Sequence, residues 1–235
     1  MDLSIVIPAY NEAERLPDTL NRIAEYLKHD QRSVEVLVID DGSTDATVQA
    51  AEQAPLMVRI IRQPKNLGKG AAVRTGMTVA SGEWRYLCDA DLSTPIEDLE
   101  KLWLRRQEAD IILGSRRAAG AEVTKHQAWW KETLGQLGNI LIQMLVAPGI
   151  KDTRCGFKLY NRNTKKLFQL QRLNGFSYDD EIIFLARLHH LRVIEVPVRW
   201  VNDARSKVKS TDYVKTFIDL AKIHYFKWQG YYKLS

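Results

Sequence analysis

Five short apolar runs, alternating with amphipathic stretches, fill the first 115 residues of the chain. No other feature limits the available folds as much. Leu3-Ser4-Ile5-Val6-Ile7 reads as a strand entering Pro8, and Leu16, Leu20, Ile23 and Leu27 then recur at helical spacing. Val34–Ile39 is the next strand and ends at Asp40-Asp41-Gly42. Ser43 or Thr44 is placed to cap the following helix, with Asp45 favourable in its first turn. Val58–Ile61 is a short strand, and Gly68 and Gly70 open a helix that runs to about Ala80. Trp84–Cys88 reads as a buried strand. Thr94-Pro95 gives an N-cap followed by proline at the first helical position, with Ile96, Leu99, Leu102 and Trp103 as the apolar face. Ile111-Ile112-Leu113 is a further strand. Strands alternating with helices predict an α/β fold, a central mostly parallel sheet with helices on both faces.

The second half is less regular. It offers a loop at about 115–130, an apolar helix from Leu134 to about residue 147, and a strand near Phe157–Tyr160. A helix around Glu181–His190, a strand over Val193–Val201 and a helix over Tyr213–Trp228 complete it. No linker rich in Gly, Ser or Pro interrupts the chain, so residues 1–235 are expected to form a single domain. No apolar run reaches the length of a membrane span, because Gln136, Asn139 and Gln143 break the nearest candidate. The N-terminus lacks the basic and apolar regions of a signal peptide. Two cysteines without metal-type spacing, Cys88 and Cys155, fit a reducing compartment, and a cytoplasmic location is expected.

Open parallel sheets bind ligands beyond the carboxyl ends of their strands. Three polar groups fall at such ends: Pro8-Ala9-Tyr10-Asn11-Glu12, Asp40–Asp45 and Asp89-Ala90-Asp91. Tyr10 offers a ring face to a base, and Glu12 and Asp41 are acceptors suited to a nucleobase imide or ribose hydroxyls. Alternation along an extended chain puts Asp89 and Asp91 on one side, where two carboxylates repel unless a cation or protons lie between them. A hard divalent ion that keeps several waters and shares a substrate diphosphate suits such a pair. Aspartate after a strand is also ordinary turn chemistry, and what sets this pair apart is its company. There is no G-x-G-x-x-G after the first strand and no G-x-x-x-x-G-K-[ST] anywhere, which disfavours a dehydrogenase or a P-loop NTPase. Lys69, between Gly68 and Gly70 at a helix start, is placed to offset diphosphate or carboxylate charge, with a solvated surface lysine as the alternative.

These motifs resemble the inverting family 2 glycosyltransferases with a GT-A fold. The likeness rests on Pro8–Glu12, Ile39–Asp45, Asn66–Gly70 and Asp89–Asp91. It continues through Gly114-Ser115-Arg116, Asp152–Tyr160 and Tyr178–Glu181 to Val196–Trp200 and Ser206-Lys207-Val208. It is strongest to the polyprenyl-phosphate branch, the dolichyl-phosphate glucosyltransferase type. The resemblance implies that Pro8, Ala9, Tyr10, Glu12, Ile39 and Asp41 contact the nucleoside of a nucleotide-sugar donor. It implies that Asp89 and Asp91 hold Mg²⁺ or Mn²⁺ with the donor diphosphate, and that Ala90 passes close to it. Arg116 and Lys207 would contact the diphosphate or the acceptor phosphate, and Asp179 and Glu181 match an aromatic-Asp-x-Glu motif near the sugar. Position 180 is Asp where an apolar residue is usual, which adds a charge. The expected reaction is metal-dependent transfer of a hexose, glucose from UDP-glucose, to a polyprenyl phosphate. GDP-mannose as donor, or a soluble or saccharide acceptor, is the alternative within the family.

A phosphate-monoester acceptor has a second pKa near ~6 and is largely dianionic at neutral pH. It needs cationic positioning more than a general base. Arg116, Arg117, Lys131 and Lys207 are the candidates for that role. Asp179 is a base, a sugar-hydroxyl contact or the cap of the helix through Ile182, Ile183 and Leu185. The net charge is +5, and residues 199–235 carry the whole excess, with eight Lys or Arg against three Asp and no Glu. Within this basic amphipathic segment Val214, Phe217, Ile218, Ala221, Tyr225 and Trp228 make one apolar face flanked by lysines, which suits the cytosolic surface of a membrane. The alternative is a helix that covers the core with this face. A peripheral lipid-binding module is the non-enzymatic reading. Nucleic acid is not expected as a partner, because three acidic strand-end motifs would repel its phosphates.

Overall fold

In a computed structural model of the chain, residues 1–124, 139–201 and 211–234 are described, the side chains of 211–214 excepted. The strands are β1 (Leu3–Ala9), β2 (Val34–Asp40), β3 (Val58–Arg62), β4 (Trp84–Cys88), β5 (Ile111–Ser115), β6 (Glu122–Thr124), β7 (Phe157–Asn161), β8 (Val193–Pro197) and β9 (Arg199–Val201). The helices are α1 (Leu16–Leu27), α2 (Thr47–Glu52), α3 (Lys69–Val79), α4 (Leu99–Leu104), α5 (139–145), α6 (Lys165–Leu170), α7 (Tyr178–Leu188) and α8 (Thr211–Trp228). Seven strands form one sheet in the order β3-β2-β1-β4-β7-β5-β8. Every neighbouring pair is parallel except those of β7, which runs antiparallel to both β4 and β5. β6 and β9 make a separate parallel pair.

The period-2 pattern of the strands divides the apolar side chains between two cores. Val6, Leu37, Ile39, Leu87, Ile111 and Leu113 face one side with α3, α5, α6, α7 and α8. Ile5, Ile7, Val36, Val38, Tyr86 and Ile112 face the other with α1, α2 and α4. All seven residues of β1 are buried, as a strand covered on both faces requires. In α1 the fully buried Leu16, Leu20 and Ile23 form the stripe that docks the helix, each worth roughly 1.5–3 kcal/mol.

Four local expectations are corrected. The stretch Val193–Val201 is two strands in different sheets, because Pro197 has no N–H to donate and the chain leaves the main sheet at Val198. The loop at 115–130 contains β6, which exists because β9 lies beside it. The helix expected at Thr94-Pro95 starts one residue later: Pro95 is extended (ψ 139°) and caps a 3-10 turn over Ile96–Asp98 that runs directly into α4. Tertiary bonding wins there, since buried Asp98 accepts from the backbone N–H and the Nε of Arg199 at 2.8 Å each. The N–H of Thr47 is satisfied by Asp45 (3.0 Å) rather than by Ser43 or Thr44, which brace the loop after β1 instead.

Candidate active site

The carboxyl ends of β1, β2 and β4 meet at one edge of the sheet, and their loops are stitched together by hydrogen bonds. Asn11, in a left-handed conformation (φ 53°), donates its backbone N–H to Ser43 Oγ at 2.9 Å. Its side-chain oxygen accepts from Thr44 N–H at 2.9 Å. Glu12 N–H donates to Thr47 Oγ1 at 2.8 Å. Gly42 is obligatory: its φ is +71°, and a Cβ there would lie 2.5 Å from the Lys65 carbonyl carbon. Pro8, Ala9 and Ile39 are buried in β1 and β2, so they shape the floor, while Tyr10 is exposed at its rim. Glu12 faces Arg15, whose Nε and NH2 reach its two carboxylate oxygens at 2.6 Å each.

Asp41 accepts the backbone N–H groups of Leu67 and Gly68 at 2.8 Å each, and so fixes the entry to α3. Burial nevertheless pushes its carboxyl above the usual range. Lys69 opens α3, and its Nζ lies 2.6 Å from Asp89 Oδ1.

Asp89 and Asp91 are brought together by a turn, and this corrects the expectation of strand alternation. β4 ends at Cys88, Leu92 N–H donates to Asp89 O at 3.2 Å, and Leu92 has φ 43°. Thr19 Oγ1 donates to Ala90 O at 2.7 Å and pins the turn to α1. Asp91 accepts from Ser93 N–H at 3.0 Å. Its carboxyl is pushed up by burial and by the charge of Asp89, so the two anions feel each other. Arg15 NH1 lies 3.8 Å from Asp91. Gly156, next to β7, packs so closely beneath that a Cβ there would lie 1.8 Å from Asp89 Oδ2.

The pair fits a hard divalent cation. It supplies carboxylate oxygens and no soft donor, and no group of three or more His, Cys, Asp or Glu gathers into a cage among the described residues. Two protein ligands leave the remaining positions to water and substrate oxygens, the habit of Mg²⁺ and Mn²⁺ sites.

The first turn of α7 carries three buried acids that point to three different partners. Asp179 Oδ1 meets the ammonium of Lys158, a fully buried lysine of β7, at 2.5 Å. Burial raises the Asp179 carboxyl, against the lowering influence of Lys158 and Lys69. It lies inside the helix and bonds a side chain, so it is no backbone cap. Asp180 accepts from Thr153 Oγ1 (2.7 Å) and Arg154 NH2 (2.6 Å), which compensates its extra charge. Glu181 accepts the backbone N–H groups of Arg172 (2.9 Å) and Leu173 (2.8 Å) and the hydroxyl of Tyr232. Glu181 therefore braces the fold.

Arg116 grips Asp152 through two parallel bonds, Nε–Oδ2 at 2.7 Å and NH2–Oδ1 at 2.8 Å, with its guanidinium over the ring of Trp200. Burial would raise the Asp152 carboxyl, but Arg116 outweighs it and holds the group below its ordinary value. Arg117 is exposed. Lys131 and Lys207 lie outside the described residues. The structure thus gathers Lys69, Asp89, Asp91 and Asp179 within electrostatic reach of one another. Lys158, Gly156 and Arg15 were not expected at the site. Gly156 and Lys158 lie in the Asp152–Tyr160 motif, and the local signal was a lysine inside the apolar strand Phe157-Lys158-Leu159-Tyr160. A groove of about 910 Å³ lined by Tyr26, Arg32 and Trp103 lies at the opposite, amino end of the strands, and its Arg32 is already paired with Asp30 and Glu100.

Residues 4–168 match the sequence model of glycosyl transferase family 2. The chain is 36% identical over 240 residues to a dolichyl-phosphate beta-glucosyltransferase of Trichomonas vaginalis, covering 95% of this chain and 73% of that protein. It is 32% identical over 226 residues to the dolichyl-phosphate beta-glucosyltransferase of Homo sapiens, covering 88% and 69%. Among solved structures, mannosyl-3-phosphoglycerate synthase from Rubrobacter xylanophilus superposes with a TM-score of 0.72 at 16% identity, covering 98% of this chain and 75% of that one. Glucosyl-3-phosphoglycerate synthase from Mycobacterium tuberculosis, in complex with Mn²⁺, UDP-glucose and phosphoglyceric acid, gives 0.68 at 16% identity, covering 94% and 79%. At such identities the structures establish the fold, which is GT-A.

Proposed function

We propose a reaction for this chain on one premise: it belongs to glycosyl transferase family 2 and is a glycosyltransferase. The reaction is inverting transfer of glucose from UDP-glucose to a polyprenyl phosphate of the dolichyl type. The observation that supports it is the Asp89–Asp91 turn at the carboxyl end of β4, in a chain 36% and 32% identical to two dolichyl-phosphate beta-glucosyltransferases.

Asp89 and Asp91 would hold Mg²⁺ or Mn²⁺. Bound there, the cation supplies a positive charge to the leaving diphosphate. Tyr10, at the rim, gives the base a surface to stack on, and Asp41 orients the loop into α3 beneath the nucleoside. The acceptor phosphate oxygen attacks the anomeric carbon from the side opposite the leaving group. As a dianion it surrenders no proton, so no carboxylate need act as a strong base. Asp179, held by Lys158, serves as a fixed anion facing the sugar, and Arg116 and Arg117 form the cationic approach for the acceptor. The test is a panel of labelled nucleotide-sugars with extracted polyprenyl phosphates, followed by partition of label into organic solvent. Label from UDP-glucose should enter the organic phase. Transfer from GDP-mannose alone would overturn the donor assignment, and label retained in a soluble product would overturn the acceptor assignment.

The acceptor must be met at a membrane surface, since leaving the bilayer costs ~0.8 kcal/mol per methylene. No described helix is long and apolar enough to cross a membrane. In α8, Leu220 and Ile223 face the core, while Phe217 (50%), Ile218 (53%), Tyr225 (53%) and Trp228 (79%) are exposed. The helix thus covers the core, as the alternative had it, but with Leu220 and Ile223 rather than with this stripe. Ile140, Met144 and Leu145 of α5 are exposed as well, and His224 Nε2 of α8 lies 3.1 Å from Leu145 O. Lys215, Lys222, Lys227 and Lys233, on or just after the same helix, are exposed too. The chain then works peripherally on the cytosolic face of a membrane. Phe217→Ser/Ile218→Ser/Trp228→Ser is expected to cut co-sedimentation with anionic liposomes by about tenfold or more while leaving soluble nucleotide binding intact. Truncating α8 is a poorer test, because Ile223 and Tyr232 are buried and Tyr232 bonds Glu181. Liposome binding that survives both the substitutions and high salt would exclude α8 as the contact.

A further inference from the structure

Lys69 and Asp89 form a direct ion pair at 2.6 Å with both side chains partly open to solvent, 24% and 32% exposed. The ammonium lies in the field of Asp89, Asp179 and Asp91, which together hold the lysine in its charged form against burial. The rest of the entry to α3 is already committed. Leu67 and Gly68 N–H donate to Asp41, and Gly70 and Ala71 N–H donate to Asn174 O at 2.7 and 3.3 Å. A diphosphate arriving here finds few free amides, so the Lys69 side chain is the main cation that α3 can offer. Yet that ammonium occupies the carboxylate assigned above to a divalent ion, and two cations on one carboxylate repel.

We propose that Lys69 is an exchangeable counter-ion of the donor site: its ammonium holds the place of the divalent cation on Asp89 and is handed to the donor's diphosphate when that cation binds. This rests on the reading of Asp89 and Asp91 as cation ligands. A cation arriving alone must displace Lys69 from Asp89. Outside the pair that the cation takes, the displaced ammonium finds its near carboxylate, Asp179, already bound to Lys158 at 2.5 Å. A diphosphate arriving alone must draw Lys69 away and leave two adjacent carboxylates uncompensated. Arriving together, the two ligands satisfy every charge. Metal and nucleoside diphosphate are thereby coupled through one side chain, in addition to any contact between them.

The experiment measures Mn²⁺ affinity of the full chain by paramagnetic resonance, with and without saturating UDP. The ratio of the two dissociation constants is the coupling factor. In the wild type it should be about tenfold or more, the range of ordinary coupling between sites. Lys69→Met should tighten Mn²⁺ binding without UDP by about five- to tenfold and lower the coupling factor by a similar amount. Lys69→Arg, which keeps the charge, should retain most of the coupling. A bystander charge would repel Mn²⁺ equally in both conditions. An unchanged coupling factor in Lys69→Met, or unaltered Mn²⁺ affinity without UDP, therefore overturns the exchange. Wild-type protein that binds Mn²⁺ with UDP but without coupling removes the exchange alone. Wild-type protein that binds no Mn²⁺ with either UDP or GDP removes the reading of the carboxylate pair together with it.

Discussion

Asp91→Asn is expected to lower kcat/KM by about 10²–10³-fold, the scale on which removal of a charge-stabilising group at a reacting centre is felt. The same substitution should leave the melting temperature unchanged or raise it. Burial and the neighbouring Asp89 both push the Asp91 carboxyl above its ordinary value, so its charge opposes folding. An amide keeps the acceptor oxygen for Ser93 N–H and removes the repulsion. Kinetics over a Mn²⁺ series and a thermal melt together check this, and excess chelator should reproduce the kinetic loss in the wild type. Undiminished turnover in Asp91→Asn would sink the assignment, and a large fall in melting temperature would recast Asp91 as structural.

The second large effect is on stability. Lys158→Met should cost about 3–5 kcal/mol, because it strands a buried carboxylate whose cation has gone. The loss should depend on pH in a definite direction. The folded pKa of Asp179 already lies above its unfolded value, because of burial, and loses the lowering influence of Lys158 in the variant. Such a carboxyl takes up a proton more readily when folded, so folding is favoured as pH falls through the folded pKa and disfavoured above it. The deficit of Lys158→Met should therefore be largest near neutral pH and shrink toward the ordinary carboxyl pKa of ~3.9. Adding Asp179→Asn should recover much of it. Urea unfolding at several pH values measures all three quantities. A deficit independent of pH would mean that Lys158 contributes packing rather than charge.

The Lys158–Asp179 pair also marks where the sequence stops being legible. The five early strands and the helices between them were readable because each announces itself locally, by burial on both faces and by polar residues at the strand end. Asp89 and Asp91 were readable as a pair, but not the turn that joins them, since Thr19 and Gly156 hold it from outside the local segment. Phe157-Lys158-Leu159-Tyr160 was readable as a strand, but nothing local says that it inserts antiparallel between β4 and β5. The charge of Lys158 is answered 21 residues later by Asp179. In α8 the periodicity was plain, yet two faces were apolar enough to be buried, and only packing showed that Leu220 and Ile223 turn inward.

The insertion of β7 has a consequence for how the molecule is made. β4 and β5 have no partner in each other, because both pair with a strand that leaves the ribosome some forty residues after β5. Until Phe157–Asn161 emerges, nascent β4 is open on the edge away from β1, and β5 lacks both of its neighbours, β7 and β8. Open apolar edges are where chains mispair. The late strand also carries Lys158 and follows Gly156, so the platform under Asp89 and Asp179 is assembled in the same event that closes the sheet. A chain halted before β7 would lack both a finished sheet and a finished site. Joining the two halves of the sheet and completing the site are therefore one step of assembly.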